Sequence, residues 1–229
     1  MKNVCVIQHT EAEFLGLLED HFEGRNIRFH YNRPFAVGGV IPAGCEGYDG
    51  LMLLGGGPYG VVSGHLLPSL GPELRLTRSF LDAGLPVIGI ELGAIILAVA
   101  AGGGAAEAPL RFTVEMAERA GRGALGGHLP DRFPVAIYLR DEPILPKDAE
   151  ILAATGDGRP LVFSLAGNCL GFVGHPGVKT GMVEDLIMEF AETPSETAPA
   201  LDALRAAQGE IAATLTDMMV GISQHTGLM

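Results

Sequence analysis

Basic residues are few. The chain has 15 Lys and Arg against 27 Asp and Glu among 229 residues, a formal charge of −12. No broad cationic surface is available to neutralise phosphates, so nucleic acid is excluded as a partner. Cysteine is also sparse: Cys5, Cys45 and Cys169 are odd in number and scattered without paired spacing. That excludes a disulfide framework or a cysteine zinc site and leaves three free thiols. There is no apolar run of about 18 residues to span a bilayer. The opening MKNVCVIQH has no signal-peptide core or cleavage site, so a cytoplasmic protein without a membrane partner is expected. The chain also lacks a nucleotide-binding P-loop and an internal repeat, and no cofactor is expected.

Apolar residues make up 48% and charged residues 18%, with 33 glycines, which suits one main globular domain with many tight turns. Short β-branched runs alternate with helix-like stretches over the first hundred residues. Strands are expected at 4–8, 26–31, 48–54 and 86–90, and helices at 11–22, 72–83 and 92–101. After Gly104 the strands at 111–116, 134–140, 161–165 and 169–173 look antiparallel, and a helix returns at 181–190. This alternation predicts a flavodoxin-like or Rossmann-like α/β fold, an open, mostly parallel sheet with helices on both faces. Residues 1–190 form the expected main domain. In 191–229, a linker rich in Glu, Thr, Ser, Pro and Ala leads to a helix over about 200–220. Its Leu201, Leu204, Ile211, Leu215 and Met218 make one apolar face, interrupted at Gln208, that must be buried on its own domain, a second copy or a partner.

The informative segment is PVIGIELGAIILA, residues 86–98. Gly89-Ile90-Glu91-Leu92-Gly93 has the form of a nucleophile elbow, in which small flanking residues let a strand turn sharply into a helix. The turn thrusts side chain 91 above the carboxyl edge of the sheet, where open α/β folds bind ligands, and aims the first free N–H groups of the next helix at it, beginning with Leu92. The glycine run 55–57 before Pro58 offers further backbone donors, notably at Gly56 and Gly57, to complete an oxyanion hole.

The elbow, the earlier Gly-Gly-Pro loop, an ILPKDAEILAAT segment at 144–155 and the late Gly174-His175-Pro176 come in an order that resembles the class I glutamine amidotransferases. The stand-alone relatives of the GMP synthase glutaminase are the most similar, over residues 3–190. The resemblance implies a cysteine nucleophile at 91, a substrate-holding glutamine at 95 and an acid two residues after the late histidine. The chain has Glu91, Ile95 and Gly177 there, and of the triad only His175 remains. A carboxylate is a poor acyl acceptor, and without the acid the imidazole loses its orienting partner.

The resemblance therefore implies a protein unable to hydrolyse glutamine by thiol chemistry. It would act as a ligand-binding or regulatory subunit, with a small molecule in the site and any synthase or acceptor enzyme on a separate chain, or with a second copy as a homodimer. Three roles stay open for Glu91: to fill a vacant oxyanion hole as an ionised carboxylate facing His175, to act with His175 as base or nucleophile on another substrate, or to join His175 and His9 as a metal ligand. His9 follows the first strand on the same sheet edge, and His65 and His128 lie in glycine-rich loops. Cys5 and Cys169 sit in strands and are not placed to replace the missing nucleophile; Cys45 lies in the loop before Tyr48, where position leaves it open but nothing nearby would lower its pKa.

Overall fold

The computed structural model describes residues 1–228. In chain order the strands are β1 (Asn3–Ile7), β2 (Arg28–Asn32), β3 (Gly50–Leu53), β4 (Tyr59–Gly60), β5 (His65–Leu66), β6 (Val87–Ile90), β7 (Gly104–Ala106), β8 (Arg111–Arg119), β9 (Arg132–Leu139), β10 (Glu142–Ile144), β11 (Glu150–Ala154), β12 (Pro160–Leu165) and β13 (Cys169–Phe172). The helices are α1 (Leu18–Gly24), α2 (Leu70–Asp82), α3 (Leu92–Ala100), α4 (Thr180–Glu189) and α5 (Thr197–Thr226).

Nine strands form one sheet in the order β2-β1-β3-β6-β13-β12-β11-β8-β9. From β2 to β13 all pairs are parallel, and from β13 to β9 all are antiparallel. The parallel strands read as continuous apolar runs because both sheet faces are covered: every residue of β3 and β6 is buried. α3 is apolar all round and buried from Leu92 to Ala98, as befits a helix enclosed by the core. A Cβ at Gly93 would lie 2.2 Å from the Leu53 carbonyl oxygen, and one at Gly89 would lie 2.4 Å from that of Gly93. The strand-to-helix turn closes because those two side chains are missing.

The antiparallel half curls back over the carboxyl ends of the parallel strands. Along the free edge of β9, the Ala136 carbonyl accepts from His175 N–H at 3.0 Å, and Tyr138 N–H donates to Glu91 Oε1 at 2.8 Å. An edge strand that would otherwise expose unpaired backbone groups thus covers the elbow.

Two expectations need correction. The helix read over 11–22 begins only at Leu18, because Gly16 takes a positive φ of 63° with its Cα against the Gly177 carbonyl. Residues 8–17 are therefore an irregular loop. The last helix runs 197–226, wider than 200–220, and ends at Gly227 in the left-handed conformation. Gly221 lies inside it, where a Cβ would meet the Leu125 carbonyl oxygen at 2.6 Å. The apolar face of α5 is buried within its own chain: Leu204 and Ile211 pack with Phe112, Tyr138 and Val183, and Leu215 and Met218 join the main core. Gln208 interrupts the stripe for a reason: its Oε1 accepts from the N–H and hydroxyl of Thr180 at the start of α4, and its Nε2 donates to the Val178 carbonyl. No helix among the described residues is long and apolar enough to cross a membrane.

Candidate functional site

Glu91 stands on the elbow with φ 52° and ψ −114°, a backbone conformation that costs a non-glycine residue about 1–3 kcal/mol and is held only where the surroundings enforce it. Its amide is tied to the Phe172 carbonyl at 2.8 Å, which links β6 to β13 at the turn. The side chain is 3% exposed.

The residue facing Glu91 is Glu13, from the loop after β1, and it too is buried. Glu13 Oε2 accepts the Gly57 N–H at 2.5 Å, while Glu91 Oε1 accepts Tyr138 N–H. A Cβ on Gly55 would sit 2.1 Å from Glu13 Oε1 and 2.4 Å from Glu91 Oε2, so the two free oxygens crowd one point. Glu13 Oε1 has no donor from the rest of the protein. A proton on Glu91 Oε2 supplies it, leaving one proton for two carboxyls, as like charges at this distance cannot both ionise in a buried site. Burial and the neighbouring Glu13 charge hold the Glu91 pKa well above the usual carboxylate range. Burial pushes Glu13 up to about 7, against the opposing pull of its bonds to Glu91 and Gly57. We assign the proton to Glu91, which burial and the Glu13 charge push well above the carboxylate range, while each carboxyl keeps one backbone donor. The expectation of an ionised Glu91 is corrected accordingly.

His175 does not bond to Glu91. Its Nε2 donates to the Phe14 carbonyl at 2.9 Å, and its Nδ1 accepts from Gly177 N–H at 3.1 Å. Burial lowers its pKa to about 4, only partly offset by the Phe14 bond, so the ring is neutral with both nitrogens in use. The imidazole is still oriented, by a carbonyl and an amide rather than by an acid at 177.

His9 is neither a solvated loop residue nor a free ligand. Its Nδ1 lies 2.7 Å from the Gly55 carbonyl and its Nε2 2.7 Å from Glu73 of α2, both groups fully enclosed. Burial alone would lower the His9 pKa, but the Glu73 charge and the two accepting oxygens outweigh it and raise it. His9 therefore clamps the glycine loop to α2. With His9 and His175 both engaged, the geometry does not bring Glu91, His175 and His9 together as ligands, and no group of three His, Cys, Asp or Glu among the described residues could hold a metal ion.

The other expected ligand-binding positions pack rather than line a cavity. The Leu92 side chain fills the space where Gly56 would carry a Cβ, and Ile95 lies one turn into α3, wholly buried. Cys5 and Cys169 are buried, their pKa values pushed up to about 12 and about 11 by burial, and Cys45 is half-buried. His65, with Pro58, Tyr59, Leu66 and Phe190, lines an open cleft of about 420 Å³ on the outer side of the Gly-Gly-Pro loop. His128 borders a separate depression with Arg119 and Asp217.

A strap after α4 closes the site from outside. The Phe190 ring lies 3.0 Å from where Gly57 would carry a Cβ and meets Tyr59 edge-on. Glu189 accepts from the amides of Glu11 and Ala12. Glu192 pairs with Arg140, whose Nε donates to the Pro58 carbonyl at 2.9 Å. Tyr138 presents a buried hydroxyl without a partner, its pKa raised by burial and then by Glu13, Glu91 and Glu192.

No protein-family model matches the chain, and no curated protein matches it in sequence. Solved structures match it over nearly its whole length. A glutamine amidotransferase from Methylobacillus flagellatus superposes with a TM-score of 0.83 at 21% identity, covering 99% of this chain and 96% of that one. One from Thermotoga maritima does so with a TM-score of 0.69 at 24% identity, covering 99% and 94%. A protein from Thermoplasma acidophilum described as a putative GMP synthase subunit gives 0.62 at 19% identity, covering 92% and 98%. At these identities the likeness is one of fold: this chain has the glutamine amidotransferase fold.

Proposed function

We propose that this chain is a glutamine amidotransferase homologue without cysteine-dependent glutaminase activity, acting as a ligand-binding or regulatory subunit. One observation carries the reading. At the elbow of this fold stands Glu91, and the Gly57 N–H that would serve a substrate oxyanion is held by Glu13. A protonated carboxyl is a weak nucleophile, and an oxyanion donor already bonded to a carboxylate has nothing to offer a transition state. His175, its Nδ1 lone pair taken by the Gly177 N–H, its Nε2–H given to Phe14 and its basicity depressed by burial, supplies no base to residue 91. A solved neighbour described as part of a synthase fits a separate synthase or acceptor enzyme as partner. The buried α5 face leaves no need for a second copy to cover it.

The test is glutamate release from glutamine, measured beside an active homologue. Release at the level of the buffer blank is expected, with no stoichiometric labelling by a thiol-directed glutamine analogue. Glu91→Cys is expected to restore little, since Ile95, the Glu13 bond and a His175 with both nitrogens engaged remain. Turnover near that of the homologue in either protein would overturn the proposal.

A second reading is favoured by the shared proton itself. A carboxyl pair with one proton can both give and accept, which is the requirement of acid–base hydrolysis or group transfer on another small molecule. In that case Glu13, not His175, would partner Glu91. Hydrolase activity lost equally in Glu13→Gln and Glu91→Gln would select it.

A further inference from the structure

We infer that Glu13 and Glu91 form a proton-dependent latch that holds the Gly55–Gly57 loop shut over the elbow and releases it when the pair loses its proton. The latch spans three otherwise separate pieces of backbone. Gly57 N–H is bound by Glu13, Tyr138 N–H of β9 by Glu91, and the two carboxyls meet over the bare Cα of Gly55. Only the proton between them makes this chain of contacts continuous, because without it two anionic oxygens face one another out of water. Glu13 Oε1 is the sign of this: it is a buried acceptor that no protein donor serves.

The surroundings resist a second negative charge. Towards the pair, the loop after β1 presents His9, already committed to Glu73 of α2. α4 presents Glu189, whose charge raises the Glu13 pKa further. The strap presents Glu192, paired with Arg140 of the β9 end, and β9 presents the neutral Tyr138. His175 is neutral, and neither α3 nor the glycine loop contributes a titratable group. His9 eases the Glu13 charge in part, but it and Arg140 are paired with other acids, and the proton is what completes the neutralisation of the pair.

The loop has somewhere to go. Its outer side borders the cleft of about 420 Å³ lined by Pro58, Tyr59 and Phe190; its other ties are the packing of Leu92, Leu186 and Phe190 against it, the turn bond from Tyr59 N–H to the Gly56 carbonyl, and the His9 and Arg140 bonds to carbonyls. Release would free the Gly57 amide and expose Glu91, turning a closed, self-satisfied site into one with vacant donors. This inference concerns access to the elbow and stands whether or not the site hydrolyses glutamine.

The test is a carbon-13 titration of glutamate carboxyls in the whole protein, read together with amide hydrogen exchange at Gly57 and Tyr138. One carboxyl pair is expected to titrate near or above pH 7. Protection at both amides, corrected for the intrinsic rate, is expected to fall about tenfold per pH unit beyond that point if opening is linked to one proton. Glu91→Gln keeps the contacts without the titration, its amide donating to Glu13 and its carbonyl accepting from Tyr138, so protection should become pH-independent. Glu13→Gln provides the same control from the other side. Titration of every glutamate below about pH 5 in the wild type, or constant protection at Gly57 and Tyr138 through the titration, would overturn the latch.

Discussion

The environments of His175 and Glu91 give them opposite pH behaviour. The folded pKa of His175 is depressed to about 4, below the ordinary value near 6.5. Its neutral form stabilises the fold above that ordinary value, and the contribution is lost as pH falls from about 6.5 towards 4, at a cost of up to about 3 kcal/mol. For the Glu13–Glu91 pair the folded values are raised, so the contribution is complete below the ordinary glutamate value and is lost as pH rises through neutrality. The expected outcome is a stability maximum between these limits. Nitrogen NMR should show His175 as the Nε2–H tautomer from pH 5 to 8, with no chemical-shift titration in that range; a midpoint near 6.5 would contradict the buried, doubly bonded ring. Glu13 was not legible. Residues 11–22 were read as a helix with no role for Glu13, whereas the chain there is an irregular loop that turns at Gly16 against the Gly177 carbonyl. The available signal was its place in a loop leaving the carboxyl end of β1, the same edge that carries the elbow.

Elements with local causes were read well. β6 and α3 follow from an apolar run, two glycines and the absence of any charge within them, and the eight strands expected and α4 lie within a few residues of their expected ranges, whereas β4, β5, β7, β10 and β11 were not expected. What periodicity cannot express is which partner satisfies an end. Gln208 looked like a flaw in an apolar stripe, yet it serves as the cap that α4 lacks from its own residues, since Lys179 at that helix start provides no oxygen. Replacing Gln208 with Ala should lower stability by about 1–2 kcal/mol through loss of this cap and of the Val178 bond. Gln208→Glu, which keeps the acceptor for Thr180, should recover part of it. Denaturant midpoints at constant m-value would check both, and an unchanged midpoint in Gln208→Ala would show that water replaces the cap at no cost. Residues 191 and 192 of the strap were likewise read as linker from their composition, and Phe190 as the end of a helix, because the role of the strap depends on where Arg140 and Gly57 lie in space.

At the scale of the molecule, the sequence predicted the switch from parallel to antiparallel pairing after Gly104 but not the curl that returns β9 to the elbow. That curl arises from contacts between residues far apart, 91 with 138 and 136 with 175, for which a single chain offers no pattern. The same long-range packing changes the standing of residues 191–228, expected as an appendage. α5 covers β8 and β9, and its side chains share the core with the strands beneath them, beside Val178 and the Val183 and Leu186 of α4. Leu215, fully buried, should cost about 2–5 kcal/mol when cut to Ala, without altering the oligomeric state, because it contacts its own chain. Deleting residues 196–229 should do more: it strips the apolar face of β8 and β9 and removes the partner of Phe112 and Tyr138, the strand residue whose amide holds Glu91. The truncated chain is expected to lose its cooperative melting transition or to aggregate, read by calorimetry and light scattering. A truncated monomer that melts cooperatively at the wild-type temperature would show instead that the helix is dispensable, and that β9 keeps its place over the elbow through the Glu91 and His175 contacts alone.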